Sequence, residues 1–380
     1  MFADFYTGKR VLVTGHTGFK GAWLSLWLRQ IGAAVSGFSL DPAGGPPSLY
    51  EIVRAGLFQK DGDHRADLRD LAAVERVINR AEPEVIFHLA AQSLVRESYK
   101  DPLGTFQTNA VGTAHLLEAV RRQGRPCVVV IVTSDKCYEN REWEHAYREN
   151  DALGGHDPYA MSKAASELVT ASWRRSFFEQ ADVEIRVATA RAGNVIGGGD
   201  LAPDRIIPDC VRALMMRQRV AVRQPRATRP WQHVLDCLGG YLWLGTRLGT
   251  ATGAEAKVLA TAFNFGPNPS ANRPVGELVS DFMGQFPGGG WEDQSIQQTG
   301  EPHEASRLNL AIEKAGALLG WFPLSTFDES VHRTAIWYRT QMDKMGASQQ
   351  NWFTALRDFS QQQISDYLVE AARQRAPWAK

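Results

Sequence analysis

The sequence predicts an α/β chain built on a doubly wound parallel sheet, with a smaller C-terminal α/β region. Three observations carry that expectation. Short apolar runs alternate with helical stretches through the first half of the chain, and a glycine-rich turn joins the first of these runs directly to a helix. Further on, Val128-Val129-Val130-Ile131-Val132 is an unalternating β-branched run that stops abruptly at Thr133-Ser134-Asp135-Lys136. A run apolar on both faces suits a strand covered by helices on either side, and the carboxyl end of such a strand opens onto a crevice where ligands bind.

At 380 residues the chain exceeds one typical domain. The expected division is 1–195 for the sheet and its chemistry and 196–380 mainly for substrate, with chain crossings between the two. A hydrophobic content of 44% is ample for a core, and 42 Lys plus Arg against 42 Asp plus Glu argues against nucleic acid or a membrane surface as partner. Cys127, Cys137, Cys210 and Cys237 form no C-x-x-C pair and no zinc spacing, so no metal site is expected. They read as reduced thiols of a cytoplasmic protein. No apolar signal segment precedes the first strand, and no apolar run approaches the roughly 20 residues that span a bilayer.

In chain order, Val11-Leu12-Val13-Thr14 is a short strand ending at Gly15-His16-Thr17-Gly18-Phe19-Lys20-Gly21, after which Ala22 to Gln30 reads as helix. Strand, glycine turn and helix together make a dinucleotide-binding unit of the Rossmann type, because side-chain-free turns let backbone N–H groups and a helix N-terminus approach a pyrophosphate. The second strand, Ala34 to Leu40, ends at Asp41. A carboxylate there accepts from a ribose 2′-hydroxyl and repels a 2′-phosphate, favouring NAD over NADP; equally, Asp41-Pro42 simply opens a loop. Asp67-Leu68 closes a third strand and either reaches the adenine or turns at the surface. Glu84 to Gln92 is a fourth, with small residues at its end that allow close cofactor contact, and His88 within it reads as a satisfied core histidine. A long helix is expected from Asp101 through Arg122.

After the Val128 strand, Asp157-Pro158 breaks the chain and starts a helix with Tyr159 and Lys163 four residues apart on one face. Glu184 to Ala190 is a further strand, and the glycines of Gly197-Gly198-Gly199 mark a loop passing close to something. Beyond it, Pro203 to Pro208 begins a helix. Arg226-Ala227-Thr228-Arg229-Pro230-Trp231-Gln232-His233 offers guanidinium forks for phosphate oxygens and an aromatic for a base or sugar face, or else is a solvated basic loop. A polar cluster at Glu301-Pro302-His303-Glu304 precedes a helix expected over 308–319. The aromatic-rich tail from Trp352 to Trp378 reads as packing or subunit contact.

Thr14-Gly15 with Gly18 and Gly21, then Ser134, then Tyr159-x-x-x-Lys163, in that order, resemble the extended short-chain dehydrogenase/reductases. Asp135-Lys136 directly after Ser134 is similar to the nucleotide-sugar 4,6-dehydratases within them. What the resemblance implies can be stated residue by residue. NAD would be held by Gly15, Thr17, Gly18, Phe19, Gly21, Asp41, Asp67, Leu68, Leu89, Ala90, Ala91, Gln92 and Asn109, with Tyr159 and Lys163. A nucleotide sugar, CDP-D-glucose, would be held by Ser93, Asn194, Arg205, Arg229, His233 and His303, and the chain would be a homodimer or homotetramer. Leu201 departs from the family pattern, which has Trp after Gly-Gly-Gly-Asp.

The residues also specify a chemistry. Oxidising a sugar hydroxyl requires a base, and Tyr159 qualifies once its pKa falls from near 10, which Lys163 and a positive nicotinamide favour. Ser134 shares the O4 proton. Expelling the C6 hydroxyl from the resulting ketone requires an acid, assigned to Asp135, and a group serving C5, where Lys136 acts either as base or as a cation that stabilises the enolate. A 4-epimerase or reductase on the same scaffold would not need Asp135 and Lys136. A non-catalytic NAD-binding protein would need none of the five.

Overall fold

The computed structural model describes residues 1–42, 44–295 and 307–380. Its centre is a seven-stranded sheet in which every neighbouring pair is parallel. Six strands and their helices follow in sequence: β1 (Arg10–Thr14), α1 (Phe19–Gln30), β2 (Ala34–Ser39), α2 (Leu49–Val53), β3 (Asp63–Arg65), α3 (Leu71–Ala81), β4 (Val85–His88), α4 (Val95–Lys100), α5 (Pro102–Phe106), α6 (Gly112–Gln123), β5 (Cys127–Val132), α7 (Pro158–Trp173) and β6 (Ile185–Arg191). The spatial order is Ala262–Asn264, β6, β5, β4, β1, β2, β3. Winding therefore runs one way from β1 to β3 and the other way from β4 outward, which leaves a crevice between the ends of β1 and β4.

Each strand feeds two cores because successive side chains point to opposite faces. Val11, Val13 and Val130 pack with Trp23 and Trp27 of α1 and with the later helix α9 (Val234–Thr250), whereas Leu12, Ile86, Val129 and Ile131 pack with residues of α3 and α6. All six residues of β5 are buried, as its lack of alternation requires. The helices Phe327–Lys344 and Gln349–Arg373 extend the first core. Within the tail, Tyr367 and Trp378 are fully buried and the Tyr367 hydroxyl donates to Asp236 at 3.1 Å, so these aromatics serve packing. No helix among the described residues is long and apolar enough to cross a membrane.

Two expectations change, and one further strand joins the sheet. The helix expected over 101–122 starts at Pro102, capped by Asp101, and passes through a π-helical turn at Gln107–Val111 before continuing as α6. The helix expected from Leu308 begins only at Glu313, because Asn309 and Ala311 give their backbone to Tyr147: its N–H donates to the Asn309 carbonyl at 2.8 Å, and the Ala311 N–H donates to its carbonyl at 2.9 Å. Finally, Ala262–Asn264, far along the chain, returns to pair with β6 as an edge strand.

Candidate active site

One cleft of about 1190 Å³ runs across the carboxyl ends of β1 to β6. That exceeds the few hundred to about 1,000 Å³ of a single-ligand pocket, so there is room for a dinucleotide and a second ligand together. Its first arm is the glycine turn. Gly15 has φ +73°, and a Cβ on it would sit 2.7 Å from the Ala90 nitrogen; one on Gly21 would sit 2.1 Å from the Gly15 carbonyl. The turn is thus pressed against the end of β4 and α1 closer than any side chain allows. No side chain caps α1, whose opening residues Phe19, Lys20 and Gly21 line the cleft, so its free N–H groups suit a pyrophosphate. The donor set fits a dinucleotide. Thr17, Ser39, Leu40, Asp67, Leu68, Leu89, Ala90, Ala91 and Gln92 line the same arm.

The turn is anchored from beneath by a polar set. His16, fully buried, donates to Asp63 at 2.8 Å; the Tyr50 hydroxyl donates to the other carboxylate oxygen, and Arg65 pairs with Asp63 at 3.0 Å. Burial pushes the Asp63 carboxyl up, but these donors outweigh it and hold the pKa at about 2, against an ordinary 3.8. A carboxyl depressed on folding stabilises the fold above its unfolded pKa and loses that contribution as pH falls through the folded value. Asp63→Asn should therefore flatten the fall in melting temperature between the ordinary 3.8 and about 2. An acid slope identical to that of the parent protein would contradict this assignment.

At the end of β5, the chain turns into a short 3₁₀ segment, Asp135–Cys137, capped by the Ser134 side chain. Ser134 Oγ donates to Asp135 Oδ1 at 2.9 Å, and Asn194 Nδ2 donates to Oδ2 at 3.0 Å. Asp135 is 3% exposed yet lines the cleft. It fits only because residue 193 is glycine: a Cβ there would lie 2.0 Å from the carboxyl carbon. Asn194 itself holds φ +52°, the left-handed backbone that turns its amide toward Asp135. Lys136 also lines the cleft, beside this pair.

Tyr159 and Lys163 arrive on α7, started by Pro158 after Asp157, whose side chain accepts from the Ala160 N–H at 2.8 Å. Both line the cleft and both are buried. Burial pushes the Tyr159 phenol up to about 12, with Asp135 adding to the rise, opposed by a hydrogen bond to Ser134 and by Arg205. The Lys163 ammonium, which donates to the Val132 carbonyl at 3.3 Å, is brought down to about 8, mainly by burial and then by Lys20. With the phenol raised and the amine lowered, the phenol stays protonated in the protein alone, and additional positive charge beside it favours phenolate.

A third arm runs along α8 (Ile206–Met215) and the strand Val220–Val222. Ser93, Asn194, Arg205 and Arg229 line it, with Arg205 donating to Asp200 at 3.0 Å and to Ser93 at 3.1 Å. Arg212, Arg219, Arg223 and Gln294 also line it but were not singled out from sequence. The recurrence of arginine from 212 to 229 was their available signal. Leu201 is absent from the lining; its carbonyl accepts from Arg212 at 3.3 Å.

Three residues assigned from sequence do not line the cleft. Asp41 is exposed and pairs with Arg65 at 3.4 Å. Asn109 lies behind the wall, where the π-helical turn directs it inward: its Oδ1 accepts from the Gln92 N–H at 2.8 Å, and its Nδ2 donates to the Gln92 carbonyl at 2.9 Å and to Ser162 at 2.8 Å. It clamps the β4 loop to α7. His233 is fully buried as the N-cap of α9, accepting from the Leu235 N–H at 3.3 Å. His303 lies outside the described residues. His88 is a core histidine, bonded to Thr14 at 2.7 Å and Thr113 at 3.3 Å, and burial lowers its pKa to about 3.

This geometry can be set against known proteins. The model of the family described as GDP-mannose 4,6 dehydratase matches residues 12–334. The chain belongs to that family. It is a homologue of the CDP-glucose 4,6-dehydratase of Salmonella typhimurium, 44% identical over 97% of this chain and 99% of the relative. Two solved structures share the family fold. An epimerase from Methanothermobacter thermautotrophicus matches with a TM-score of 0.73 and 24% identity, over 91% of this chain and 97% of its own. The dTDP-glucose 4,6-dehydratase of Bacillus anthracis, solved in complex with NAD, matches with a TM-score of 0.68 and 20% identity, over 91% and 99%. The family thus includes sugar-nucleotide dehydratases, and these solved structures share this chain's fold.

Proposed function

We propose that this protein dehydrates CDP-D-glucose to CDP-4-dehydro-6-deoxy-D-glucose, with NAD as its cofactor. One observation carries the reading: Ser134, Tyr159 and Lys163, suited to oxidising a hydroxyl, share a cleft with Asp135 and Lys136, suited to eliminating water. The choice of a cytidine nucleotide and of glucose is supported by the 44% identical relative.

The glycine turn with Thr17, Ser39, Asp67 and the Leu89–Gln92 segment holds the dinucleotide. When bound, NAD supplies a hydride acceptor at the sugar's C4, a hydride donor for C6, and a positive ring that favours the Tyr159 phenolate. Tyr159 takes the O4 proton, Ser134 hydrogen-bonds the same oxygen, and Lys163 stabilises the phenolate. With C4 a ketone, the C5 hydrogen is acidic. Lys136 serves that position as base, or as the cation beside the enolate with water taking the C5 proton, and Asp135 gives a proton to the departing C6 hydroxyl. Arg205 and Arg229 in the third arm suit the pyrophosphate. Loss of water leaves a C5=C6 double bond conjugated with the C4 ketone, which is electrophilic at C6. A bound dinucleotide would supply the hydride for C6, with a proton entering at C5.

Substrate deuterated at C4 should therefore yield product with deuterium on the C6 methyl, and reaction in heavy water should label C5. An epimerase would keep the label at C4 and release no water. Deuterium recovered from solvent would exclude the closed cycle, and absence of turnover would leave a nucleotide-binding protein.

The protein is further read as a dimer. Leu103, Phe106 and Val111 on α5 and the turn after it, with Met161 and Leu168 on the adjoining α7, are exposed apolar side chains on neighbouring helices. Pairing of this face with its copy would cover them. Sedimentation should give a dimer or a pair of dimers, and Leu103→Glu with Leu168→Glu should give monomer. A parent protein that sediments as monomer would overturn this.

A further inference from the structure

One turn beyond Lys163 on the same face of α7 stands Glu167, 4% exposed and outside the cleft lining. Its carboxylate accepts from the Thr133 hydroxyl, from the Thr189 hydroxyl at 2.7 Å and from Arg191 Nη2 at 2.8 Å. Arg191 is equally buried, donates to the Tyr138 hydroxyl at 2.8 Å and to the Glu149 carbonyl at 3.1 Å, and lies over the Tyr138 ring at 4.9 Å. Stability alone is a poor reason for such a pair, since apolar residues of similar volume in its place are often neutral or stabilising.

Its position offers another reason. Thr133 immediately precedes Ser134 and Asp135, Arg191 is three residues before the Asn194 that holds Asp135, and Glu167 shares α7 with Tyr159 and Lys163. Three segments, each carrying part of the chemistry, meet on one carboxylate. We infer that Glu167 and Arg191 are a positioning pair, which locks α7 and the ends of β5 and β6 in one register and balances charge beneath Lys163. The inference rests on the dehydratase reading of Tyr159, Lys163 and Asp135, for which turnover by the parent protein is the separate control.

The electrostatic half has a sign. Lys163 faces Lys20 from α1, Cys137 from the segment after β5 and Glu167 from its own helix, and it depresses His88 on β4. Burial and Lys20 favour the neutral amine, whereas Glu167 favours the ammonium; burial keeps the Cys137 thiol neutral. Neutralising Glu167 leaves the Arg191 charge uncompensated below, so Lys163 gives up its proton at lower pH.

Glu167→Gln should cut kcat by about tenfold to a hundredfold, as misplacement of catalytic groups does, with KM nearly unchanged. The alkaline limb of its kcat–pH profile should move down by about one unit. Adding Arg191→Met removes the stranded charge and should return the limb to its parental position while kcat stays low. Thr133→Val, which deletes one hydrogen bond, should lower kcat with the limb in place. A kcat loss in Glu167→Gln without movement of the limb, or a limb that the double variant fails to restore, would overturn the pairing role. Should Glu167→Gln not fold, a parental kcat in Thr133→Val would overturn it instead.

Discussion

Tyr159→Phe should reduce the rate of dehydration by about 10³-fold or more, within the range that positioned proton transfer supplies, while CDP-D-glucose still binds. The phenol is held at the end of α7 by Pro158 and the Asp157 cap, hydrogen-bonded to Ser134, and pushed up to about 12 by burial when the protein is considered alone. A phenol in that state is a poor base. The neighbouring amine, brought down to about 8, cannot by itself reverse the order. A bound nicotinamide ring would add positive charge beside the phenol and so couple proton removal from O4 to a complete site. Phenylalanine keeps the packing and removes the hydroxyl proposed to take the proton. Retention of more than about a tenth of the parental kcat would show that another group is the base.

Asp135→Asn should separate the two halves of the reaction. Removal of hydride from C4 should proceed, seen as nicotinamide absorbance that rises on adding substrate and does not decay, while water release falls by about 10²-fold or more. The amide is nearly isosteric and fits the space that Gly193 leaves, and its oxygen can still accept from Ser134 or Asn194. What it lacks is a transferable proton for the C6 hydroxyl. If this variant releases water at the parental rate, the acid lies elsewhere in the cleft. If it loses C4 oxidation as well, Asp135 serves O4 rather than O6.

The two variants draw on features of different legibility. Tyr159 and Lys163 could be placed together from sequence, because i, i+4 spacing behind a Pro-initiated helix puts them on one face whatever the rest of the chain does. Asp135 could be placed beside Ser134 for the same local reason. That Asn194 and Gly193 complete its surroundings could not, since they follow β6 and meet Asp135 only because β6 lies next to β5. Asp41 is the converse case. A carboxylate ending β2 has the right chemistry for a ribose, but the structure turns it outward to Arg65. Asn109, expected beside the cofactor, is directed by the π-helical turn to Gln92 and Ser162.

The parallel α/β class, the glycine turn, the buried β5 with its polar end and the Tyr159–Lys163 face are all legible in the order of residues. These are readable because strand burial, tight turns and helix periodicity are properties of residues adjacent or a turn apart, for which chain connectivity supplies the geometry. Packing of the whole chain, in contrast, brings Ala262–Asn264 back to the sheet, places Arg212, Arg219 and Arg223 on the cleft, and ties Glu167 to Thr133, Thr189 and Arg191 in one buried knot. Those contacts join residues from separate strands and helices. The order in which strands pair, set by the packing of two cores around the whole sheet, selects among many sequence-compatible partners, and no local pattern encodes that choice.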